Sequence, residues 1–69
     1  MKYLLPERLK ELRTERGIRL TRLAAELGLG NYTVNRWENG MQVPSAIYIM
    51  KLCIYFNCSS DFLLGLKNE

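Results

Sequence analysis

The chain has 69 residues, 48% of them hydrophobic and 25% charged, with a formal net charge of +3. That length holds one small core and not two, and the composition is too apolar for a disordered chain. No apolar run reaches the roughly 18 residues of a membrane span, and the opening MKYLLPERLK is too short for a signal peptide, so one cytoplasmic domain over residues 1–69 is expected.

A first helix is expected from about Pro6 to Arg16. Proline suits the first turn, where no intrahelical N–H is required, and Gly17 suits the left-handed residue that ends a helix. Leu5, Leu9 and Leu12 give it an inward face, while Glu7, Lys10, Glu11 and Glu15 read as a solvated face of mixed charge. Two short helices follow, about Leu20–Leu27 and Asn31–Asn39, separated by Gly28-Leu29-Gly30. Leu23 and Leu27 are four apart with Ala24 beside them, and Val34 and Trp37 are three apart, so each helix carries one narrow apolar stripe. Helices joined by so short a glycine-containing turn cross steeply, which is the helix-turn-helix arrangement, here over about residues 20–39. The third helix keeps Asn31, Tyr32, Asn35 and Arg36 off its apolar stripe, and these side chains are of the kind that reach base edges and phosphates.

Met41-Gln42-Val43-Pro44 reads as a loop, and Ser45 as the N-cap of a fourth helix, the most apolar part of the chain, which Asn57 ends. Ser59 or Ser60 would cap a short fifth helix holding Phe62, Leu63 and Leu64 and stopping at Gly65. Nothing alternates with period two, so an all-α, compact five-helix fold is expected.

Residues 1–36 carry eight lysines and arginines against four glutamates, and residues 37–69 two against three. The basic excess lies on the half that holds the third helix, as a polyanionic partner requires. Cys53 and Cys58, if both lay on one helix, would have Cα atoms roughly 8–9 Å apart, beyond disulfide range, and read as small buried hydrophobes. With no histidine and no second cysteine pair a zinc site lacks ligands, so no metal or cofactor is expected. No acid pair, nucleophile constellation or phosphate loop is present, which argues against an enzyme, and no small-molecule ligand is evident.

Leu9-Lys10-Glu11-Leu12-Arg13, Gly17-Ile18, Leu23-Ala24, Leu27-Gly28, Trp37-Glu38-Asn39-Gly40, Pro44-Ser45 and Leu63-Leu64-Gly65 together resemble the lambda repressor/Cro-type helix-turn-helix domain, also called the xenobiotic-response-element family of bacterial regulators. The resemblance runs from Leu9 to Leu66. It implies a lambda-repressor-like fold, a homodimer on an inverted-repeat operator in double-stranded DNA, and the third helix in the major groove. On that resemblance Asn31, Tyr32, Asn35 and Arg36 read bases, and Thr33 and Asn39 approach phosphate. Asparagine suits adenine and arginine suits guanine on chemical grounds as well. The resemblance also implies an ion pair between Arg13 and Glu38, and a self-interface at Asn57, Cys58 and Ser59 with Ile54 and Tyr55 one turn earlier.

Three features depart from the family pattern. The second helix usually opens Ser-Gln, whereas here Arg19-Leu20 stands, leaving a poor cap and giving phosphate contact to Arg19 and Arg22. The loop after Gly40 often carries lysine or arginine, but here it is Met41-Gln42-Val43. Ile47, Ile54 and Tyr55 replace polar residues on the fourth helix, either as a partner surface or by packing against Tyr3 and the C-terminus. The function expected is that of a small bacterial or phage transcriptional regulator, a repressor that binds its operator sequence-specifically. The alternative is a protein-interaction module, an antitoxin-like adaptor that uses the fourth helix and has weak DNA affinity.

Overall fold

The computed structural model describes residues 2–68. Among them are five helices and no strand: α1 (Leu5–Glu15), α2 (Leu20–Glu26), α3 (Asn31–Glu38), α4 (Ala46–Phe56) and α5 (Ser60–Leu64). Pro6 falls in the first turn of α1, and Arg19 at the start of α2 supplies no side-chain cap. Ser45 Oγ accepts from the Tyr48 N–H at 3.5 Å, and Ser59 Oγ accepts from the Phe62 N–H at 3.0 Å. Ser59, and not Ser60, is therefore the cap of α5.

Every helix supplies buried side chains to one core: Leu5 and Leu9 from α1, Leu23 and Ala24 from α2, Val34 and Trp37 from α3, Leu52 and Phe56 from α4, and Leu63 from α5. The periodic leucines place α3 against α1 and α2, while α5 joins α1 to α4. The two ends of the chain meet: the Leu4 N–H donates to the Leu64 carbonyl at 3.0 Å. Arg8 reinforces this closure, donating to the carbonyls of Phe62 and Lys67 and lying 4.3 Å from the Phe62 ring centroid. Gly65, at φ +104, completes the return, and a Cβ there would lie 2.6 Å from the Lys2 carbonyl oxygen. A second arginine, Arg16, donates to the Tyr55 carbonyl at 3.0 Å and lies 5.2 Å from the Phe56 ring, setting a positive charge at the C-terminal end of α4.

One sequence premise needs correction. Asn57 takes the left-handed conformation (φ 53) and closes α4, so Cys58 lies beyond the helix and its N–H donates to the Cys53 carbonyl at 3.0 Å. The turn thereby folds Cys58 back beside Cys53, which the premise of a shared helix did not allow; both are free and only partly buried. Of the two readings left open for the fourth helix, one is not realised. Ile47 and Ile54 do not pack against Tyr3 and the C-terminus but stay 60% and 78% exposed, with Met50 beside them. Tyr55 alone packs inward, edge-on against Phe56 at 5.0 Å.

Burial, with Cys53 alongside, pushes the Cys58 thiol from its ordinary 9.0 up to about 11. An unfolded chain gives up this proton at lower pH than the folded one. The resulting stability is complete below about pH 9 and is lost as pH rises toward 11. Thermal melts across that range are expected to fall less steeply for Cys58→Ala than for the natural chain, and parallel slopes would contradict the assignment.

Candidate nucleic-acid interface

The turn between α2 and α3 is set by Gly28 at φ +70. Its N–H donates to Ala25 O at 3.1 Å and the Leu29 N–H to Ala24 O at 2.9 Å, which closes α2 and redirects the chain. Leu29 packs on the core, and Gly30, in extended conformation, begins α3. With Val34 and Trp37 buried, the 3.6-residue period puts Tyr32, Asn35, Arg36 and Asn39 on the opposite side of the same helix. Asn31 is exposed at the first position, and Thr33 is half-buried on the flank.

The outward side chains are linked to one another. Asn39 Nδ2 donates to Asn35 Oδ1 at 3.0 Å, and Arg36 Nη1 donates to the Tyr32 hydroxyl at 3.0 Å while its guanidinium lies 5.3 Å from that ring. Tyr32 itself is 72% exposed. Arg36 has two further partners that sequence reasoning missed: Nε donates to Gln42 Oε1 and Nη2 to the Met41 carbonyl, each at 3.3 Å. A local signal for them existed. Gly40 (φ +72) after Asn39 closes α3 with the Met41 N–H on the Arg36 carbonyl at 2.9 Å, which returns the chain to Arg36.

The position of α3 is braced from beneath. Arg13 on α1 grips Glu38 at the end of α3 with two bonds, Nε to Oε2 at 2.7 Å and Nη2 to Oε1 at 3.0 Å, and its Nη1 donates to the Ile18 carbonyl at 3.1 Å. The side chains are only 13% and 4% exposed. The hydrogen bond to Glu38 raises the Arg13 pKa despite the opposing effect of burial, with the carboxylate charge adding to the rise. Trp37 lies next to this pair in sequence and packs on Tyr48 of α4, ring centroids 5.6 Å apart.

Arg19 and Arg22 are exposed at the start of α2, and Arg22 pairs with Glu26 at 3.1 Å, a surface contact too weak to hold it from another anion. Ile54, Tyr55, Asn57, Cys58 and Ser59 are contiguous at the α4–α5 turn. Ile54, Asn57 and Ser59 are exposed, Tyr55 and Cys58 half-buried. A shallow groove between α2 and α4, lined by Glu26, Leu27, Lys51, Ile54 and Tyr55, adjoins them. No helix among the described residues is long and apolar enough to cross a membrane.

The arrangement has clear relatives. The Helix-turn-helix family model matches residues 9–63. The chain is 35% identical over 65 residues to the HTH-type transcriptional regulator ImmR of Bacillus subtilis (strain 168), a match covering 94% of this chain and 50% of that protein. It also superimposes on the crystal structure of a transcriptional regulator from Listeria innocua with a TM-score of 0.91 at 28% identity, covering 100% of this chain and 64% of that one. The chain thus spans about half the length of the curated relative it matches. Sequence match, helix order and the α2–α3 turn agree: this chain belongs to the helix-turn-helix family of the Cro/C1, xenobiotic-response-element type.

Proposed function

We propose that the chain binds double-stranded DNA sequence-specifically as a transcriptional regulator, a repressor, with α3 in the major groove. One observation carries this reading. The face of α3 opposite the core consists of Tyr32, Asn35, Arg36 and Asn39, all hydrogen-bonding side chains, on a helix fixed by Trp37 and the Arg13–Glu38 pair. In this reading Asn31, Tyr32, Asn35 and Arg36 contact base edges, while Arg19, Arg22, Thr33 and Asn39 contact phosphates. Two copies, joined through the α4–α5 turn, read an inverted repeat whose half-sites lie about 10–10.5 base pairs apart.

A second reading, a protein-binding adaptor with weak DNA affinity, is favoured by the exposure of Ile47, Met50 and Ile54 along α4. Electrophoretic shift across a salt series, on a duplex selected from a random library, separates the two. Arg36→Ala is expected to cost roughly 1–3 kcal/mol on the selected site and to relax one position. Lys51→Ala, on α4, is expected to leave affinity unchanged. Equal losses from both, or full affinity with one protomer on a single half-site, would count against the first reading.

A further inference from the structure

The loop that follows α3, where the family often carries lysine or arginine, here reads Met41-Gln42-Val43, and what Gln42 touches is the guanidinium of Arg36. We propose that Gln42 is a positioning residue for base recognition: with the Met41 carbonyl it holds one edge of Arg36 so that the other edge presents two donors to a guanine. The inference rests on the DNA-binding reading above and deepens it.

A guanidinium carries five N–H donors in a rigid plane. The Nε–H and one Nη2–H form its side edge, and this edge is occupied by Gln42 Oε1 and Met41 O, both at 3.3 Å. The Tyr32 hydroxyl takes one of the two Nη1–H groups at 3.0 Å. One N–H on Nη1 and one on Nη2 remain; with the Tyr32 hydroxyl on the Nη1–H that faces Cδ, these two make the end edge of the fork. In the major groove guanine offers two adjacent acceptors, O6 and N7, whereas adenine sets a donor beside its N7, so a fixed pair of donors selects guanine. An arginine held in advance loses less freedom on binding than one that must be immobilised by the DNA itself.

The acceptors are also of the right kind. Both are neutral carbonyl oxygens, so they orient Arg36 and leave its charge available to the polyanion. A carboxylate at residue 42 would hold the same edge and offset that charge. The backbone places the loop without help from Gln42: the Met41 N–H is bonded to the Arg36 carbonyl at 2.9 Å, and Pro44 is buried at the other end. Gln42 is itself exposed, so its replacement leaves the core untouched.

The test uses the 69-residue chain and a randomised duplex library. The wild-type chain defines the site, Arg36→Ala identifies the position it reads, and the four bases are then compared there by competition. Gln42→Ala is expected to lower the preference for guanine at that position roughly 3- to 10-fold, the range for loss of one hydrogen bond, and to leave the other positions as they were. Gln42→Glu is expected to keep the guanine preference while weakening all sequences alike. In free protein, the Arg36 Nε–H is expected to exchange with water faster in Gln42→Ala than in wild type. An unchanged base profile in Gln42→Ala, or a loss equally large in the Arg36→Ala background, overturns the inference, since Gln42 would then be idle or would touch DNA on its own account. Failure of the wild-type chain to enrich any sequence overturns the DNA reading and this inference together, an outcome distinct from either of those.

Discussion

Trp37→Ala is expected to remove about 3–5 kcal/mol of stability, measured by urea denaturation with circular dichroism as the probe. A chain of this length holds only about 3–10 kcal/mol in all, so the variant should sit near its unfolding midpoint at room temperature. Trp37 is the largest fully buried side chain, and its ring packs on Tyr48, so truncation leaves a void shared by α3 and α4 that short helices cannot collapse to fill. Its indole N–H is buried with no hydrogen-bond partner among the described residues. Trp37→Phe keeps the aromatic contact and removes that unpartnered donor, and about 1–2 kcal/mol is the expected loss. An alanine variant with an unchanged midpoint would mean that α3 does not present this face to the core. The register of its outward residues would then fall with it.

What the sequence made legible is what depends on neighbours within one helical turn. The spacings of Leu23 and Leu27, and of Val34 and Trp37, placed α2 and α3 and told their inner faces from their outer ones. Gly17 marked the end of α1 and Gly28 the turn after α2 because each stands where the chain must turn left-handed. Contacts between distant residues were not legible. Arg8 reads as one more charge on a solvated helix, yet it bonds to Phe62, 54 residues away, because α5 happens to return there. Met41-Gln42-Val43 read as a loop without the family's usual basic residue, and Gln42 became a partner of Arg36 only once the turn at Gly40 was seen as a path back onto α3. Cys58 was misplaced for a related reason. Asn57 reads as the end of α4, but the Cα spacing of the two cysteines assumed a continuous helix, whereas the left-handed turn at Asn57 folds Cys58 back toward Cys53. On the resemblance, by contrast, Arg13 and Glu38 could be paired across 25 residues, which no local pattern would do.

That pair supports the second large expected effect. Glu38→Ala should destabilise the fold by about 3–5 kcal/mol, because it leaves the Arg13 guanidinium in a nearly closed site with only the Ile18 carbonyl to satisfy it. Arg13→Met should cost a similar amount, since a carboxylate only 4% exposed then lacks its counter-charge. Removing both partners is a different matter. Arg13→Met with Glu38→Leu exchanges two desolvated charges for apolar packing, and should cost less than either single change. The double-mutant cycle is therefore expected to give a coupling well above the roughly 1 kcal/mol ceiling of exposed pairs, and one that changes little with added salt. The cycle also bears on DNA binding. The pair ties the end of α3 to α1, so the doubly substituted chain tests whether α3 needs the ionic clamp or merely a packed contact to hold its outward face. Retained stability with weakened operator affinity would assign the clamp to orientation; retained stability and affinity would assign it to packing alone. A coupling below about 1 kcal/mol that vanishes in high salt would show instead that the two side chains are solvated, and the account of how α3 is held would have to rest on Trp37.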